Sequence, residues 1–380
     1  MPTCKHVDVA IIGAGVAGLT LATRIMESAA GLGVMLIGPE DNRNQRLSFW
    51  TEQRPAGACE AFLTHQWQHW NFNHEGSGSI TQHARNQRYV SLDAKAYKEF
   101  LRGQLAGQRC QQKPLSVTGI ENASGNFVIH SSSEAWTATT VIDTRAPRIP
   151  DTTLKQQFWG CVVDLPRPHG LTAPVLMDFD VLPVAREGVT FIYVLPLSSS
   201  QLLVEATTFS SKHQAESAYH HCVSDWVQRH FGHKLALGQA ESESGILPMG
   251  PVIPIEPAIP RCGLAGGAAR SSTGYAFQGT ERQAASMAAQ LSAGQRLETR
   301  SPFSRKADWM DRVFLRVAED RPDQLVMLFM AMAKQLTGDE FAHFLSDTGG
   351  WRPCFRAVMV APKSAFIRAA VQLVRQRSWI

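Results

Sequence analysis

The sequence predicts an α/β fold with a parallel sheet, a β-rich segment inserted after it and a helical C-terminal region. Three observations support this prediction. An apolar strand at the N-terminus leads directly into a glycine-rich turn and a helix, short apolar strands dominate the middle of the chain, and an amphipathic segment closes it. With 380 residues, 44% of them hydrophobic and 18% charged, the chain can bury a large core.

The N-terminal turn has the spacing of a dinucleotide-binding site. A predicted strand over residues 7–12 is followed at once by Gly13, Gly15 and Gly18, and helix formers continue to residue 27. Gly13 permits the tight turn, Gly15 lets the backbone approach a pyrophosphate, and Gly18 lets the helix pack against the strand. A second strand is predicted over residues 33–37. The alternative is a turn with a purely structural role.

A second glycine-rich stretch, residues 264–277, predicts another backbone approach to the same ligand. Gly266 and Gly267 allow the chain to pass close to a cofactor, and Thr273 with Gly274 is predicted to begin a helix whose N-terminus faces a flavin ring. Two such turns, one at each end of a long chain, indicate an extended dinucleotide held twice. This favours FAD over NAD.

The ribose-binding residue departs from the usual pattern. An acid normally ends the second strand, but Gly38 stands there, and the nearest acids are Glu40 and Asp41. We take Glu40 as the candidate. The alternative is that both acids are solvated and that backbone or water holds the ribose.

Composition excludes several classes of function. The net charge is +4, and no basic run with interleaved aromatic residues occurs, so no nucleic-acid partner is expected. Seven scattered cysteines without a Cys-x-x-Cys pair argue against a disulfide framework or a metal site and favour a reducing, cytoplasmic setting. No signal peptide is expected, and the longest apolar tract, residues 325–333, is too short to span a bilayer as a helix.

The middle of the chain predicts a sheet over a ligand pocket. Residues 126–130 and 140–143 form a predicted strand pair, and residues 189–195 and 201–207 form two strands joined by a hairpin-like connection. Alternation places Leu203, Glu205 and Thr207 on one face of the last strand. A buried carboxyl group at Glu205 would favour its neutral form and suit a proton donor. The alternative is that Glu205 points to solvent.

The order of short motifs along nearly the whole chain resembles the flavoprotein lycopene β-cyclase family of bacteria. The resemblance rests on the first glycine-rich turn and on segments spread from the middle to the C-terminal third of the sequence. These segments are residues 141–145, 176–178, 202–207, 243–249, 272–275, 309–315 and 341–345.

The resemblance implies a redox-neutral cyclisation of a linear polyene end. A proton adds to the terminal double bond of lycopene, the tertiary cation is attacked by an internal double bond, and a proton leaves the new β-ionone ring. The family uses FAD in its reduced form, with NADPH as the expected reductant. An anionic reduced ring near the developing cation would stabilise it.

The resemblance also implies roles for individual residues. Glu205 inherits the role of proton donor or cation stabiliser, and Glu243 and Asp178 fall in other family motifs as further candidate acids. Relatives carry a second acid directly after the first, where this chain has Ala206, and a proline where it has Ser271.

Two further sets of residues follow from the same motifs. Asp143 lies in the motif of the strand that returns to the sheet beside the cofactor. Tyr275 and Phe277 are expected to line the polyene channel, with ordinary core packing as the alternative.

The resemblance implies a domain division and a membrane partner. Residues 1–165 with 255–300 would bind FAD, residues 166–254 would form the β-rich substrate subdomain, and residues 301–380 the helical region. Because a C40 polyene is stored in the bilayer, the basic amphipathic segment 362–380 is expected to contact the inner face of the membrane, or else to dock on the core.

Two other functions fit the scaffold. One is an FAD-dependent monooxygenase, halogenase or prenyl reductase, although such enzymes carry a Gly-Asp pair where this chain has Gly266 and Gly267. The other is an inactive family member that binds polyene or flavin.

Overall fold

The computed structural model describes residues 5–29, 31–41, 43, 45–52, 58–123, 125–236 and 240–377. In chain order, the strands are β1 (Lys5–Ile12), β2 (Val34–Ile37), β3 (Arg46–Glu52), β4 (Leu63–Trp67), β5 (His69–His74), β6 (Gly78–His83), β7 (Gln87–Asp93), β8 (Cys110–Lys113), β9 (Val117–Ala123), β10 (Asn126–Ser131), β11 (Ala135–Asp143), β12 (Leu154–Asp164), β13 (Val175–Asp178), β14 (Val189–Pro196), β15 (Gln201–Ser210) and β16 (Ser242–Met249). The α-helices are α1 (Val16–Ser28), α2 (Ala94–Leu105), α3 (Glu216–Phe231), α4 (Phe277–Ser292), α5 (Arg305–Asp320), α6 (Asp323–Gln335), α7 (Gly338–Ser346), α8 (Trp351–Val360) and α9 (Lys363–Arg377).

The N-terminal sheet has six strands in the order β8-β2-β1-β11-β10-β9. Strands β8, β2, β1 and β11 run parallel, and β10 and β9 add an antiparallel edge. Apolar residues of α1, α2 and α4 cover one face of this sheet. The predicted α/β fold, the strand–turn–helix start and the return of the chain to the sheet beside β1 are confirmed.

A second sheet has seven strands in the order β16-β12-β15-β14-β13-β5-β6. Side chains of β14 and β15 alternate between the two faces of this sheet, as predicted. Both faces of these two strands are largely buried. One face, which we call the front, packs toward helices α5, α6 and α7. The opposite face, the back, is covered by α3.

A small sheet, β3-β7-β4, connects the two larger ones. The seven-stranded sheet also draws in β5, β6 and β12, which the predicted domain division had assigned to the FAD-binding unit. Within the described residues, no single helix is long and apolar enough to span a membrane. Helices α8 and α9 pass that test of length and composition only as a pair, bent by 117°.

One predicted boundary is wrong. The helix expected to begin at Thr273 begins at Phe277. Residues 270–275 instead form a tight turn, in which the N–H of Gly274 donates to the carbonyl of Arg270 at 2.8 Å and the N–H of Arg270 donates to the carbonyl of Tyr275 at 3.1 Å. This turn satisfies backbone groups that a helical start would have left free.

Candidate active site and cofactor cradle

The first glycine-rich turn is shaped as its spacing predicts. Gly13 has φ +114°, and a Cβ atom there would lie 2.6 Å from Oγ1 of Thr144. A Cβ atom on Gly18 would lie 1.9 Å from the carbonyl oxygen of Gly13, so α1 packs directly on the turn. At Gly15, by contrast, no described atom lies within 4 Å of the added carbon. The open side of the turn is therefore where a ligand can approach the backbone.

The start of α1 provides donors for an anion. Among the described residues, no side chain caps this helix at Gly15 and no acid stands in its first turn. Its first N–H groups and its positive dipole end therefore point toward the open side of the turn, as a pyrophosphate requires.

Asp143 supports the two glycine-rich segments. Its carboxylate is buried and accepts hydrogen bonds from the Arg145 side chain, both at 2.9 Å, and from the Arg145 N–H at 3.0 Å. Its backbone accepts from the N–H of Cys262 at 3.0 Å. Asp143 thus ties the parallel sheet to the second glycine-rich stretch, while Arg145 occupies its carboxylate.

The second glycine-rich stretch packs against the first. A short 3₁₀ turn spans Gly263–Gly266, and a Cβ atom on Gly263 would lie 2.6 Å from Cβ of Ala17 in α1. Gly266 is equally tight, since an added carbon would lie 2.6 Å from the carbonyl oxygen of Arg261. Gly267 has φ +76° and faces open space. The two turns predicted to hold one dinucleotide therefore lie side by side.

The acids after β2 lie in different surroundings. Glu40 is exposed. Asp41 forms an ion pair of 3.2 Å with the buried Lys98 and another of 2.8 Å with Arg43. Partial burial opposes ionisation of Asp41, but the hydrogen bonds from Arg43 and Lys98 outweigh it and lower its pKa to about 2. Asp41 is thus engaged in ion pairs within the protein. Glu40 is therefore the acid at the end of β2 that remains available to bind a ribose.

A cavity of about 280 Å³ lies between the front of the seven-stranded sheet, the small sheet and the C-terminal helices. It reaches the N-terminus of α4 through Ala276 and Phe277. Its described lining contains only two carboxyl groups, Glu205 and Glu243, and one cationic residue, Arg46. Eleven of the other lining residues are aromatic: Trp50, Phe72, Tyr89, Phe158, Phe191, Tyr193, Phe209, Tyr275, Phe277, Phe329 and Phe341.

The two cavity acids lie in one row across four strands. The register pairs Tyr193 of β14 with Glu205 of β15, Glu205 with Gly160 of β12, and Gly160 with Glu243 of β16. Paired residues of neighbouring strands face the same side. The row therefore presents a phenol, a carboxyl group, a residue without a side chain and a second carboxyl group to the cavity.

Gly160 is the gap in this row. A Cβ atom there would lie 2.2 Å from Cγ of Glu205 and 2.9 Å from its Cα. The Glu205 side chain therefore lies over Gly160, toward β16. In this position a side-chain hydrogen bond joins Glu205 to Glu243.

Glu205 favours its protonated form. Burial away from bulk solvent is the main cause, and the charge of Glu243 and the hydrogen bond between the two groups add to it, so that the pKa of Glu205 is raised well above its usual range. Glu243 also accepts a hydrogen bond from the N–H of Arg46 at 3.0 Å. The pair thus has one member suited to carry a proton and one that is supplied with a donor.

Three tyrosines extend the polar part of the cavity. The hydroxyl of Tyr89 lies 2.9 Å from that of Tyr193 and 3.4 Å from that of Tyr275. Burial and the mutual proximity of these phenols raise the pKa values of all three, and the charge of Glu205 raises those of Tyr193 and Tyr275 further. The cluster therefore stays neutral and offers hydroxyl groups beside Glu205.

Asp178 does not join the other two predicted acids. It lies on the back of the sheet, where its carboxylate accepts from Nε1 of Trp226 at 2.9 Å and from the N–H of Asp180 at 3.1 Å. Ala206, which replaces the second acid of relatives, is also buried on the back face. An acid at residue 206 would therefore point away from the cavity, and Glu243 is the second acid on the front.

The predicted flavin-facing and substrate-facing residues meet at one end of the cavity. Thr273, Gly274, Tyr275 and Phe277 all line it. Gly274 has φ +73°, and a Cβ atom there would lie 2.7 Å from Oε1 of Gln156. The turn thus needs glycine both for its backbone angle and for its contact with β12.

A buried ion pair holds this turn in place. The guanidinium of Arg270 donates to Asp311 of α5 at 3.2 Å, and the hydroxyl of Ser272 donates to the same carboxylate at 2.7 Å. Arg270 also donates to the carbonyl of Phe344 in α7. The helical C-terminal region is therefore fastened to the edge of the cavity.

The family model for lycopene cyclase protein matches residues 8–366. The chain belongs to this family. Among curated relatives, the lycopene beta-cyclase of Pseudescherichia vulneris is 28% identical over 287 residues, which cover 71% of this chain and 70% of that one.

Solved structures with the same fold are more distant in sequence. A geranylgeranyl bacteriochlorophyll reductase-like protein of Thermoplasma acidophilum superposes with a TM-score of 0.65 at 12% identity, covering 96% of this chain and 98% of that one. Klebsiella pneumoniae HpxO, solved in complex with FAD and uric acid, superposes with a TM-score of 0.59 at 12% identity, covering 93% and 97%. These flavoproteins confirm the predicted fold class.

Among the residues of the site that were not predicted from the sequence are Gly160, Tyr193 and Arg46. The signal for Gly160 was a lone glycine inside an apolar strand pattern, which indicates a close approach of another group. Arg46 contributes only its backbone N–H to Glu243, and no side-chain pattern marks such a contact.

Proposed function

We propose that this protein is a lycopene β-cyclase, which converts the linear ends of lycopene into β-ionone rings to give γ-carotene and β-carotene. The observation that carries the proposal is the carboxyl group of Glu205 within an aromatic cavity that reaches the N-terminus of α4, where burial raises its pKa well above its usual range. A proton donor in a water-poor site is what protonation of an alkene requires.

The cavity suits the reacting end of an apolar polyene. A volume of about 280 Å³ lies at the lower end of what small-molecule sites span, which fits a cyclising end better than a C40 chain. Aromatic faces stabilise cations, and the lining surrounds Glu205 with them. Glu205 would transfer its proton to the terminal double bond, and a carboxylate of the pair would take the proton that leaves the new ring.

FAD is the proposed cofactor, and the described residues fit it. The open side of Gly15 and the free N–H groups of α1 would hold the pyrophosphate, Glu40 would bind the ribose, and the stretch from Gly266 to Gly274 would lie against the rest of the cofactor. In its reduced form FAD would supply negative charge near the developing cation. The uncapped N-terminus of α4 at the cavity favours that charge.

The direct test is anaerobic incubation with lycopene in liposomes, FAD and NADPH, followed by pigment chromatography. We expect γ-carotene and β-carotene. A parallel reaction with dithionite in place of NADPH separates the need for reduced flavin from the choice of reductant. Unchanged lycopene in both reactions, with FAD bound, would reject the cyclase assignment.

The same assay separates the other flavoenzyme classes. A monooxygenase would consume oxygen in air and yield a hydroxylated product, and a prenyl reductase would yield a product with added hydrogen. An inactive binding protein would retain lycopene unchanged. A cyclase product has the same elemental composition as its substrate, which mass spectrometry distinguishes from each of these.

We further propose that helix α8 contacts the anionic inner face of the membrane. Trp351, Phe355, Val358 and Met359 recur on one side of α8 and are 50–75% exposed. Exposed Arg352 lies beside them, and α9 adds further exposed apolar and basic residues. An apolar strip edged by cations is the surface that anionic lipid attracts. The predicted segment 362–380 is thereby extended to α8, and Trp379 and Ile380 lie outside the described residues.

Vesicle sedimentation tests this surface. Trp351→Ser with Phe355→Ser should weaken binding to vesicles that contain phosphatidylglycerol, whereas Ile253→Ser, which removes an equally exposed apolar residue away from α8, should not. Neutral vesicles should bind the wild type less tightly. Equal binding by the double variant and the wild type would refute the α8 contact.

A further inference from the structure

We propose that Glu205 and Glu243 act as one carboxyl pair that shares a single proton, and that Gly160 is the positioning residue that allows them to meet. This inference rests on the proposed function for its chemical meaning. Its geometry stands on the strand register, on the space at Gly160 and on the hydrogen bond between the two acids.

The register explains why two acids on non-adjacent strands are in contact. Glu205 and Glu243 are both paired with Gly160, so a full strand, β12, separates their backbones. Neighbouring strands lie about 4.8 Å apart, which puts these two backbones about 10 Å from each other. A side chain on the middle strand would stand between them, whereas at Gly160 the Glu205 side chain takes that space.

The surroundings of the pair assign the shared proton to Glu205 at rest. Glu243 accepts the backbone N–H of Arg46 at 3.0 Å, so one of its oxygens is already engaged by a donor. Glu205 faces Tyr193 of β14, and Tyr275 and Tyr89 stand across the cavity, all neutral phenols. Glu205 can therefore donate its hydrogen to Glu243.

The pair balances charge during the proposed reaction. When the Glu205 O–H bond breaks and a C–H bond forms on the terminal alkene, the pair changes from one negative charge to two while the substrate gains one positive charge. The alkene electrons close the ring, the ring loses a proton, and that proton returns to the pair. No electron is gained or lost, so the cycle needs no oxidant.

The pair also explains how the cavity can hold a second acid although the residue after Glu205 is Ala206. Residue 206 faces the back of the sheet, so the partner on the cavity side comes from β16 and not from the neighbouring position in the chain. Two carboxyl groups that interact by more than about one pKa unit titrate as a unit, and removal of one changes the titration of the other.

The experiment measures the protonated carboxyl band of the FAD-bound protein by infrared titration, without substrate. We expect a band that is lost in Glu205→Gln and that titrates at least about one pH unit lower in Glu243→Gln than in the wild type. Glu241→Gln, the same change at an exposed residue two positions earlier, is the control and should leave the titration unchanged. An unshifted titration in Glu243→Gln would overturn the pair.

Cyclisation rates give a second readout. If the acids act as a unit, the variant that lacks both should be about as slow as Glu205→Gln alone, whereas independent roles would multiply the two losses. A wild type that does not cyclise lycopene rejects the proposed function, and the infrared titration still decides whether the pair exists. The two proposals therefore fail separately.

The role of Gly160 is tested by Gly160→Ala against Gly119→Ala. The added carbon at Gly119, on strand β9, would lie 3.9 Å from its nearest neighbour, an ordinary contact. Gly160→Ala should lose the coupled titration and cyclisation while retaining FAD, and Gly119→Ala should keep all three. If Gly160→Ala retains both titration and activity, Gly160 does not position the pair; if it fails to bind FAD, Glu243→Gln decides.

Discussion

The front and the back of the seven-stranded sheet carry acids of opposite character. On the front, Glu205 faces an aromatic cavity, and its side-chain hydrogen bond is made to another acid, Glu243. On the back, Asp178 is buried and is surrounded by donors, which include the indole of Trp226 and the amide of Asn73 at 3.3 Å. Buried carboxyl groups are stable where donors meet them and reactive where donors are scarce.

A single step of register separates the two environments. Ile192 and Ala206 are paired with each other and lie in the back row with Asp178, while the adjacent pair, Tyr193 and Glu205, lies in the front row. Because side chains alternate along a strand, a neighbouring position in the sequence is on the other side of the sheet. Residues that act together on one face of this sheet therefore come from neighbouring strands and not from consecutive positions of one strand.

The largest contrast is expected in activity. Glu205→Gln should reduce cyclisation by about 10²- to 10⁴-fold, the usual contribution of a positioned acid, while FAD stays bound. Asp178→Asn should leave the turnover of folded protein unchanged. Product formation divided by bound flavin measures both. A similar loss in the two variants would show that the faces do not differ in function.

An acid placed on the back of the sheet should destabilise the folded protein. Ala206→Asp would bury a carboxylate between Trp159 and Ile192, at a cost of about 3–5 kcal/mol in the free energy of unfolding if it stays charged. Ala206→Ser, a neutral polar control, should lose less. Urea unfolding followed by tryptophan fluorescence gives the difference. A gain of activity in Ala206→Asp would place residue 206 in the catalytic machinery instead.

Removal of the back acid should affect stability alone. Asp178→Ala leaves the N–H groups of Trp226 and Asp180 without an acceptor, which should lower the free energy of unfolding by about 1–3 kcal/mol. Asp164→Ala, at the exposed end of β12, is the matched control and should have little effect. Equal urea midpoints for the two variants would contradict the structural role of Asp178.

The pH dependence of stability should reveal the front acid. Glu205 has a pKa of about 4.3 in an unfolded chain and well above that in the folded protein, so the folded state binds the proton more tightly. The free energy of unfolding should therefore fall as the pH rises from the unfolded to the folded pKa. Glu205→Gln should lack this part of the fall. Parallel curves for variant and wild type throughout the pH range above the unfolded pKa of Glu205 would contradict the raised pKa.

The sequence predicted the elements with local patterns. The strand–turn–helix start with Gly13, Gly15 and Gly18, the β14–β15 hairpin and the shared face of Leu203, Glu205 and Thr207 follow from spacing and alternation. Alternation alone left open whether that face met solvent or a cavity. The start of α4 was misplaced by four residues, because a polar turn rich in Ser, Thr and Gly has the composition of a helix N-terminus.

The partners of Glu205 could not be predicted in the same way. Its contact with Glu243 depends on which strands lie beside β12. The order of these strands, β16-β12-β15, cannot be predicted from the local pattern of any one segment. The placement of Asp178 on the back was hidden for the same reason. The order and register of strands that are distant in sequence decide both that Glu205 meets Glu243 and that Asp178 lies outside the cavity.

Deuterium incorporation tests most directly whether the front carboxyl pair starts a cyclisation. In heavy water the proton of the pair becomes deuterium, and the proton returned by each ring exchanges with the solvent before the next ring forms. Lycopene incubated anaerobically with the FAD-bound protein should therefore give β-carotene that carries one deuterium atom for each new ring, and Glu205→Gln should give no cyclised product. A cyclised product without deuterium, or the same labelled product from Glu205→Gln, would contradict this account.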